Sequence, residues 1–468
     1  MSDSSAADLV LRGGVVRVLD EAGTRGTAIA IAGGRVLATG DDAAVSRLVG
    51  PATRVVELAG RAVLPGINDS HLHAAWVGGT WPRFFFGAAS GEQPSLDTVL
   101  ARDDEERRAL LLRFSDLAAS FGITSYTEPG IGPGEDSGAT GAMGTATLRV
   151  YRDLAGRGLL KQRVNLLMLF GIIDGPAAVE AVVAGISGYD RSTPDERRFR
   201  VAGLKVFGDG VPIARGSFIH SHYADGSHGH LSPIGRDEPA QIEALRAMVL
   251  AGHRAGLQVG VHATGDRTVD AVISAVREGL AERPGDPRHY IIHGDLATPA
   301  QLEEMAALGM GVTYQIGIGV ATRDAVAPLL GRERTAAGWA IRYAWDHGVK
   351  AALSSDAPFL SLDWRREIAN ADTWLGPAGD PEARMLELLR AYTAVPAWID
   401  HAEDWKGTLE PGKVADLVVL AGDPFELTPA EIPGLGVAAT YLDGELVYDA
   451  ACGSGAGGSG DPVTQARS

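Results

Sequence analysis

Residues 254–263 read RAGLQVGVHA, and they contain the unit that decides the fold. A helical pattern ends at Gly256, where the C-terminus of a helix favours a residue with positive φ. The segment that follows is short and almost continuously apolar, which is typical of a strand buried on both faces. The same order of helix, glycine and strand recurs in ASFGITSYTE (119–128), AALGMGVTYQ (306–315) and WDHGVKAALSSD (345–356).

The repeated unit predicts a barrel of parallel strands. Adding the other apolar runs gives eight candidate strands, at residues 62–69, 123–127, 164–170, 201–207, 257–262, 290–294, 310–314 and 349–355. Eight buried strands that alternate with helices indicate an α/β fold, a (β/α)8 TIM barrel with inserted loops. A doubly wound sheet is the alternative. It would need a glycine-rich phosphate turn after its first strand, and GINDSHLH (66–73) is no such turn.

The two ends of the chain differ from the middle. Both contain alternating apolar residues with turn dipeptides, Gly33-Gly34 at one end and Asp443-Gly444 at the other, which are typical of β-hairpins. We expect the ends to form one small β-sandwich domain, because neither supplies enough strands alone. The predicted boundaries are 1–61 for the N-terminal part of this domain, 62–402 for the barrel, 403–451 for the C-terminal part and 452–468 for a Gly/Ser-rich disordered tail.

Composition excludes several classes of protein. The chain has 468 residues, with 42 basic and 59 acidic side chains and a net charge of -17, which argues against nucleic acid or an anionic membrane as a partner. The single cysteine, Cys452, excludes a disulfide framework and a cysteine-based zinc cluster. No signal-peptide pattern and no apolar run of membrane-spanning length occurs, so we expect a cytoplasmic protein. The oligomeric state stays open, with a homodimer among the alternatives.

Five of the eight predicted strands carry side chains that can bind a metal ion or transfer a proton, at their C-terminal ends or just after them. They are His71, His73, Lys205, His262, His293 and Asp356. Because the active sites of such barrels lie at the C-terminal ends of the strands, we expect these side chains to meet at one mouth. A lone histidine is more often part of a core than a metal ligand. However, if these six residues were unrelated to one another, they would not all be expected at the C-terminal ends of strands. Residues i and i+2 of a strand point the same way, so His71 and His73 can hold one ion together.

Lys205 is the exception in this set, since an ammonium group repels a cation and is costly to bury. It becomes a ligand if it loses its proton and is carboxylated by carbon dioxide, which supplies two oxygens that can bridge two metal ions. The alternative is a lysine that reaches solvent at the barrel rim or pairs with Asp209.

Six motifs, taken in their order along the chain, resemble those of the metal-dependent amidohydrolase superfamily. They are PGINDSHLH, the lysine of GLKVFGDG, HATGD, the histidine of IIHGD, SSDAP and the closing PGKVADLVVL. The set is most similar to the YtcJ-like branch, amidohydrolase family 3, which includes N-substituted formamide deformylases. The resemblance runs from about residue 8 to residue 448. It implies a barrel with a flanking β domain. It also implies a centre of one or two divalent metal ions, usually zinc, that hydrolyses C–N bonds in small molecules.

The resemblance also implies a role for each residue of the set. His71, His73, His262 and His293 are carried over as ligands, Lys205 as a candidate carboxylated bridge, and Asp356 as ligand and proton shuttle. We expect Asp356 to take a proton from metal-activated water and to pass it to the leaving nitrogen. The branch usually carries Arg-Ile-Glu-His at strand six, and here Ile292 replaces the acid, which removes a contact near the centre.

Substrate contacts are predicted from residues close to the strand ends, each with a structural alternative. The candidates are Trp76, Trp81, Arg215, His222 and Asp266. The two tryptophans favour an apolar or aromatic substrate if they line the mouth, but they can equally pack the loop down. Arg215 can meet a substrate carboxylate or be an ordinary surface residue.

Four further histidines lie in the loop after the fourth predicted strand, and they form two more His-x-His pairs. They are His220, His222, His228 and His230. A flexible loop holds ligands less accurately than strand ends do. We therefore interpret this histidine loop as a lid or pocket wall, or equally as an exposed loop, with a second metal site ranked third.

Two other functions stay open at this stage. One is a metal-dependent esterase or deaminase on the same barrel, since fold does not determine substrate. The other is a non-catalytic amidohydrolase-like binding protein, which would be expected to lose ligands, whereas all six positions are intact.

Overall fold

The structure is a computed structural model in which residues 6–86, 93–188, 190–193 and 195–453 are described. A barrel of eight parallel strands forms the centre, and two smaller β-sheets lie beside it. The strands, in chain order, are β1 Leu9–Arg12, β2 Val15–Arg17, β3 Arg25–Gly26, β4 Ala28–Ala32, β5 Arg35–Gly40, β6 Arg54–Glu57, β7 Ala62–Pro65, β8 Ile67–Asp69, β9 Ile123–Ile131, β10 Arg163–Leu169, β11 Phe199–Phe207, β12 Gln258–Ala263, β13 Tyr290–His293, β14 Gly311–Tyr314, β15 Lys350–Leu353, β16 Leu417–Leu420, β17 Val437–Leu442 and β18 Glu445–Asp449.

Most helices connect the barrel strands and cover their outer face, whereas the first and the last belong to the terminal parts of the chain. In chain order they are α1 Asp42–Ser46, α2 Ala74–Thr80, α3 Asp104–Ser120, α4 Thr145–Gly156, α5 Val179–Ser187, α6 Glu238–Arg254, α7 Asp266–Glu282, α8 Pro299–Ala307, α9 Ile316–Leu330, α10 Arg332–Ala337, α11 Ile341–Asp346, α12 Trp364–Leu375, α13 Pro381–Arg390, α14 Ala394–Ile399 and α15 Ala450–Gly453, with 3-10 turns at Pro133–Glu135, Pro212–Ala214, Pro424–Glu426 and Ile432–Gly434. Among the described residues, no helix has both the length and the apolar character that crossing a bilayer requires.

The barrel confirms the predicted fold class. Strands β8 to β15 pair in parallel and in chain order, as expected of a (β/α)8 barrel. In the described part of the chain, no backbone ladder joins β8 to β15. Residues just after these two strands close the seam instead: the Asp356 N–H donates to the His71 carbonyl at 2.8 Å, and the Ser355 N–H donates to the Asp69 carboxylate at 3.1 Å.

The glycines that end the helices behave as the sequence predicts. Gly122, Gly256, Gly309 and Gly348 have φ of 77°, 69°, 65° and 80°, the left-handed conformation that terminates a helix. The hairpin prediction is confirmed as well. Gly33 and Gly34 join β4 to β5, and Asp443 and Gly444 join β17 to β18, all with positive φ.

The flanking β domain draws on both ends of the chain, as predicted. One sheet has the order β5-β4-β1-β6, and the other has the order β18-β17-β16-β7-β2-β3. Apolar side chains from both sheets share a core, in which Leu11 and Ile31 lie with Leu417 and Tyr441. This packing of two sheets face to face is a β-sandwich.

The first predicted barrel strand, 62–69, needs a correction. Its first half is β7, which pairs antiparallel with β16 in the sandwich, and only β8 belongs to the barrel. Gly66 lies between them, and a Cβ there would be 2.0 Å from Thr124 Oγ1. The glycine therefore permits the close approach that accompanies the change of sheet. The domain boundaries stay predictions at the residue level. The predicted tail, 452–468, lies outside the described residues from 454 onward, and Cys452 belongs to α15.

Candidate metal centre and active site

The six residues of the predicted centre line one cavity at the C-terminal ends of the barrel strands. His71 and His73 follow β8, Lys205 lies in β11, His262 in β12 and His293 at the end of β13, and Asp356 follows β15. All six are buried. The cavity that they share has a volume of about 370 Å³.

Three of these side chains form a compact cluster. One donor atom from each of His71, His73 and Asp356 lies within 4.8 Å of the other two. Asp356 Oδ1 is 3.1 Å from His71 Nε2 and 3.5 Å from His73 Nε2. The rings of His293 and His262 continue the cluster, with the His71–His293 centroids 5.4 Å apart and the His262–His293 centroids 4.4 Å apart.

Neighbouring groups determine which imidazole nitrogen faces the cavity. His73 Nδ1 is 3.1 Å from Glu128 Oε1, His262 Nε2 donates to the Gly210 carbonyl at 3.1 Å, and His293 Nδ1 donates to Gln315 Oε1 at 2.6 Å. The other ring nitrogen of His73, Nε2, faces Asp356 Oδ1 at 3.5 Å. This arrangement is how proteins usually hold histidines that bind metal.

Glu128 was not among the predicted site residues. Its second carboxylate oxygen accepts the Ala74 N–H at 2.7 Å, so it binds the first turn of α2 as well as His73. The only sequence signal for it was an acid directly after the predicted second strand, 123–127. Gln315, at the end of β14, was missed for the same reason: neither residue is adjacent in sequence to the histidine that it contacts.

The backbone is strained at two of the six positions. His293 has φ of 79° and Asp356 has φ of 49°, a left-handed conformation that residues with a Cβ rarely adopt. Such strain is tolerated where the surrounding structure enforces it, and it concentrates at functional sites.

Burial keeps most of the imidazoles neutral. Burial lowers the pKa of His71 to about 4, and burial together with Lys205 lowers the pKa of His262 to about 3. His293 is shifted in the same direction by burial and by His262. His73 differs: burial lowers its pKa, but the Asp356 and Glu128 carboxylates outweigh this and raise it to about 9. Neutral imidazole is the form that binds a metal ion.

Lys205 does not match either structural alternative that the sequence left open. Its side chain is 2% exposed, so it does not reach solvent at the rim, and its Nζ has no hydrogen-bond partner. Asp209 makes other contacts, since it accepts the N–H groups of Thr264 and Gly265, both at 2.9 Å. Burial lowers the pKa of Lys205 to about 8, and Asp356 opposes that shift.

The donor set fits a divalent metal ion. Buried polar atoms without a hydrogen-bond partner are costly, and three of them, His71 Nδ1, Lys205 Nζ and Asp356 Oδ1, belong to this centre. Imidazole nitrogens with a carboxylate oxygen are ligands that zinc and related ions accept. A bound cation would take up the lone pairs of the imidazole nitrogen and the carboxylate oxygen, and Lys205 could join them only after losing its proton.

Apolar side chains form most of the remaining cavity wall. Phe85 stacks on Phe359 with ring centroids 5.1 Å apart, and Phe359 contacts the His73 ring at 6.4 Å. The other apolar residues of the lining are Phe86, Ile173, Phe207, Val211, Pro212, Ile213, Ala214, Ile318 and Trp339. Ile292 points elsewhere, into an apolar cluster inside the barrel with Leu167 and Tyr290.

The two predicted substrate contacts next to β8 are not among the described lining residues of this cavity. Trp76 is buried behind His73, with ring centroids 5.0 Å apart, and its Nε1 donates to Thr140 Oγ1 at 3.1 Å. Trp81 packs against Phe121. These positions favour the packing alternative for both tryptophans.

The other three predicted substrate contacts also lie outside the described lining. Arg215 pairs with Asp225 at 3.2 Å, and both side chains are about half exposed. Asp266 begins α7 and accepts the His220 N–H at 2.9 Å, while His222 is exposed. The roles of all five residues in substrate binding stay predictions.

The histidine loop lies at the rim of the cavity rather than at the centre. His220 Nε2 is 2.6 Å from Asp270 and His228 Nε2 is 3.0 Å from Glu238, so each has a carboxylate partner on a neighbouring helix. His230 lines the cavity. In the part of the chain that the structure describes, the loop histidines do not gather into a group that could hold a metal ion.

The fold and the cluster define a (β/α)8 barrel with a metal-competent centre at the C-terminal ends of its strands. Residues 87–448 match the Amidohydrolase family. The match covers most of the chain and begins after His73. The chain therefore belongs to the amidohydrolase family.

Individual relatives agree with this assignment. The putative amidohydrolase YtcJ of Bacillus subtilis is 27% identical over 256 residues, 53% of this chain and 47% of that protein. The N-substituted formamide deformylase of Arthrobacter pascens is 25% identical over 263 residues, 55% of this chain and 47% of that protein. The alignment thus spans about half the length of each of these relatives.

A solved structure shows the same fold. An uncharacterized metal-dependent hydrolase from Pyrococcus furiosus has a TM-score of 0.70 at 20% identity, over 89% of this chain and 99% of that one. At this identity the similarity bears on the fold alone.

Proposed function

We propose that this chain is a metal-dependent hydrolase that cleaves a C–N bond in a small molecule, such as an amide, a formamide or a cyclic amide. The observation that carries the proposal is the convergence of six metal-competent side chains from five strands on one cavity. Membership of the amidohydrolase family supports the reaction class.

The six side chains bind one or two divalent metal ions. They are His71, His73, Lys205, His262, His293 and Asp356. Zinc is the ion to test first, because its usual ligands are histidine and carboxylate groups. When bound, the ion supplies Lewis-acid activation of water and of the scissile carbonyl.

The chain's own residues move the proton. Asp356 Oδ1, which has no hydrogen-bond partner, accepts a proton from the attacking water. It then donates that proton to the leaving nitrogen, so one carboxylate acts first as general base and then as general acid. Glu128 holds His73 in orientation throughout. The apolar wall around Phe359 limits the access of bulk water.

Lys205 is carboxylated in the loaded protein. Its neutral amine adds to carbon dioxide, a new N–C bond forms, and the displaced proton passes to solvent. The burial of Lys205 and its unpaired Nζ support this proposal. The test is metal reconstitution with and without bicarbonate. Wild-type protein should bind more metal with bicarbonate, and Lys205→Met should show no such dependence. Equal metal binding by wild type in both conditions would rule out the carbamate.

The proposed function is tested by metal analysis combined with a substrate screen. Purified protein should contain stoichiometric metal and should hydrolyse a compound in a panel of N-formyl amines, N-acyl amino acids, cyclic amides and esters. His73→Ala should lose both metal and turnover. His347→Ala, the same change at an exposed histidine outside the described cavity lining, should keep both. A metal-free protein without turnover on the whole panel would contradict the proposal, and turnover on esters alone would favour the esterase alternative.

Location and assembly belong to the same proposal. A cytoplasmic location is part of this proposal, and cell fractionation tests it. A homodimer stays a prediction for sedimentation analysis.

A further inference from the structure

The cavity wall continues from the buried centre to the surface on apolar side chains. Gly210 lies beside the centre, because its carbonyl accepts a hydrogen bond from His262 Nε2 at 3.1 Å. The 3-10 turn that follows, Pro212–Ala214, also lines the cavity. Val211 and Ile213 belong to the lining, and each is 39% exposed. One short segment therefore joins the proposed metal centre to solvent.

A second loop adds to the same exposed surface. Ile173, in the loop after β10, lines the cavity, and its neighbour Ile172 is 50% exposed. The Ile234 N–H donates to the carbonyl of Ala177 in this loop at 2.9 Å, and Ile234 is 59% exposed. Of the eleven large apolar side chains that are exposed among the described residues, four thus belong to the loops after β10 and β11. Single exposed apolar residues are ordinary, but a group of them at the mouth of a cavity marks a place for a ligand.

Aromatic side chains continue the apolar surface inward to the centre. The Phe359 ring is 6.4 Å from the His73 ring, and Phe85 stacks on Phe359. Phe207 lies beside Lys205, whose Nζ is 4.5 Å from the centre of the ring. An amide held at the centre would therefore have apolar walls next to it, and the remainder of the molecule could extend along apolar side chains to the rim.

Resting on the proposed function, we infer that the enzyme hydrolyses amides or formamides that carry an unbranched aliphatic chain, and that this chain runs from the metal centre along the apolar wall to Val211 and Ile213. Water leaves both surfaces when the chain meets the wall, so each methylene that reaches the wall strengthens binding. The occupant is a substrate, because these two exposed side chains line the same cavity as the proposed metal ligands. A compact apolar group would leave them uncovered, whereas a chain can follow the wall from the buried centre to the rim.

Two series of compounds, each with a constant scissile group, test the chain. They are N-alkylformamides and n-alkanamides with butyl, hexyl and octyl chains, which place the chain on the nitrogen side and on the carbonyl side of the amide. We expect kcat/KM to rise about 3-fold for each added methylene in at least one series, or about 80-fold from butyl to octyl. An octyl analogue with two methylenes replaced by ether oxygens keeps the length but loses apolar character, and its kcat/KM should be lower by about 10-fold or more.

Variants at the rim separate the proposed path of the chain from a general effect of chain length. Ile213→Ser should lower the octyl-to-butyl ratio of kcat/KM by about 5-fold, and Val211→Ser combined with Ile213→Ser by about 10-fold or more, because both remove apolar surface that the chain covers. Leu446→Ser is the matched control, since Leu446 is an exposed apolar residue of β18 outside the described lining. It should leave the ratio unchanged. Thermal unfolding of each variant checks the fold.

The outcomes distinguish this inference from the proposed function. A flat or falling dependence on chain length in both series, or a ratio that the rim variants leave unchanged, overturns the inference while the hydrolase assignment stands. No turnover of any amide by metal-loaded protein overturns the proposed function instead. Calorimetric binding of 2-hexanone and 2-decanone, which cannot be hydrolysed, then decides on the chain. Tighter binding of the longer ketone that the double rim variant loses supports the inference, and equal binding or none contradicts it.

A second copy of this chain is the other occupant that an exposed apolar surface can have. Sedimentation analysis of the wild type and of the double rim variant tests it. A monomer, or a dimer that both proteins form, supports a substrate chain as the occupant. A dimer that only the wild type forms would assign the surface to a subunit interface and overturn the inference.

Discussion

Glu128 controls the orientation of His73, because its two oxygens contact the imidazole and the first turn of α2 at once. Glu128→Gln should weaken this hold and reduce metal affinity by about 10- to 100-fold, the usual effect of losing a group that orients a ligand. Competition with a chromogenic chelator measures the affinity. Tyr151→Phe is the matched control, since it removes the contacts of the Tyr151 hydroxyl with Glu128 at 3.4 Å and with Tyr126 at 3.2 Å but leaves the contact between Glu128 and His73 in place. An unchanged affinity in Glu128→Gln would show that His73 needs no such support.

Asp356 is proposed both to bind the metal ion and to transfer the proton, and a substitution can separate these two roles. Asp356→Asn keeps an oxygen that can face the centre but removes the basic carboxylate. We expect the variant to fold and to retain metal, while turnover falls by about 10²- to 10⁴-fold, the range for loss of a general acid–base group. Metal analysis and steady-state kinetics on the same preparation measure both properties. Near-normal turnover in a metal-loaded Asp356→Asn protein would remove Asp356 from proton transfer.

At the scale of elements, the glycines that end helices offer a graded test of packing. Gly309 has positive φ and open space around it, whereas at Gly122 a Cβ would also lie 2.4 Å from Val418 Cγ2 in β16. Gly309→Ala should lower the free energy of unfolding by about 1 kcal/mol through backbone strain alone. Gly122→Ala should lower it by about 1–3 kcal/mol more, because the methyl group also overpacks the contact between barrel and sandwich. Urea denaturation measures the free energy of unfolding of both variants. Equal losses would show that Val418 can move away from the added methyl group without an energetic penalty.

A buried pair of histidines, His253 in α6 and His289 just before β13, links these two elements, and His289 makes the fold sensitive to acid. The Val259 N–H donates to His289 Nδ1 at 3.0 Å, His289 Nε2 is 2.9 Å from His253 Nδ1, and His253 Nε2 is 3.0 Å from the Arg283 carbonyl. Every ring nitrogen is satisfied only when both imidazoles are neutral. Burial, with His253 and His401, accordingly lowers the pKa of His289 to about 3.

A lowered histidine pKa means that the unfolded chain binds more protons than the folded one as the pH falls. The contribution of His289 is therefore complete above its unfolded pKa of about 6.5 and is lost progressively below it, by about 2 kcal/mol at pH 5. His289→Gln cannot titrate, so its free energy of unfolding should fall less between pH 7 and pH 5 than that of wild type. His347→Gln, a change at an exposed histidine, should follow wild type. Parallel curves for His289→Gln and wild type would contradict this account.

On the scale of the whole molecule, local sequence patterns predicted the barrel. They did not predict the pairing between segments that are far apart in the sequence. The helix–glycine–strand unit is local, so Gly122 and Gly348 could mark strand starts from the sequence alone. The division of residues 62–69 at Gly66 depends on pairing with β16, hundreds of residues away along the chain. A continuous apolar run gives no signal of the point at which a strand changes sheet.

The residues of the site also divide into those that local sequence patterns predicted and those that depend on contacts between distant segments. The six residues of the centre follow strands whose ends must meet in any such barrel, so their order in the sequence was sufficient to bring them together. Glu128 and Gln315 gain their roles from the histidine that the closed barrel places beside each one. Trp76 was a candidate for substrate contact because it follows β8 closely, yet α2 turns it behind His73. Sequence proximity to a strand end predicts the region of a side chain, not its direction.

A buried charge network joins the barrel to the sandwich, so we expect the two to unfold as one unit. Arg163, at the start of β10, pairs with Asp416 through two contacts of 2.7 Å and 3.0 Å and also contacts Asp443 in the β17–β18 turn. Asp416 in turn accepts the Asp443 N–H at 3.0 Å. Burial opposes the charge on Arg163, but Asp416 and Asp443 outweigh it and raise the pKa of Arg163 above its usual value.

Removing one partner of a buried pair leaves the other charge unmatched, which costs about 3–5 kcal/mol. Asp416→Asn should therefore lower the free energy of unfolding by about 3 kcal/mol. Because Arg163 belongs to the barrel and Asp416 to the sandwich, tryptophan fluorescence and far-ultraviolet circular dichroism should shift together in urea and report one transition. Asp153→Asn, which breaks exposed pairs with Arg108 and Arg157, is the control and should change stability by less than about 1 kcal/mol. Two separate transitions in Asp416→Asn would mean that the sandwich unfolds independently, and that the network joins two units that are already stable alone.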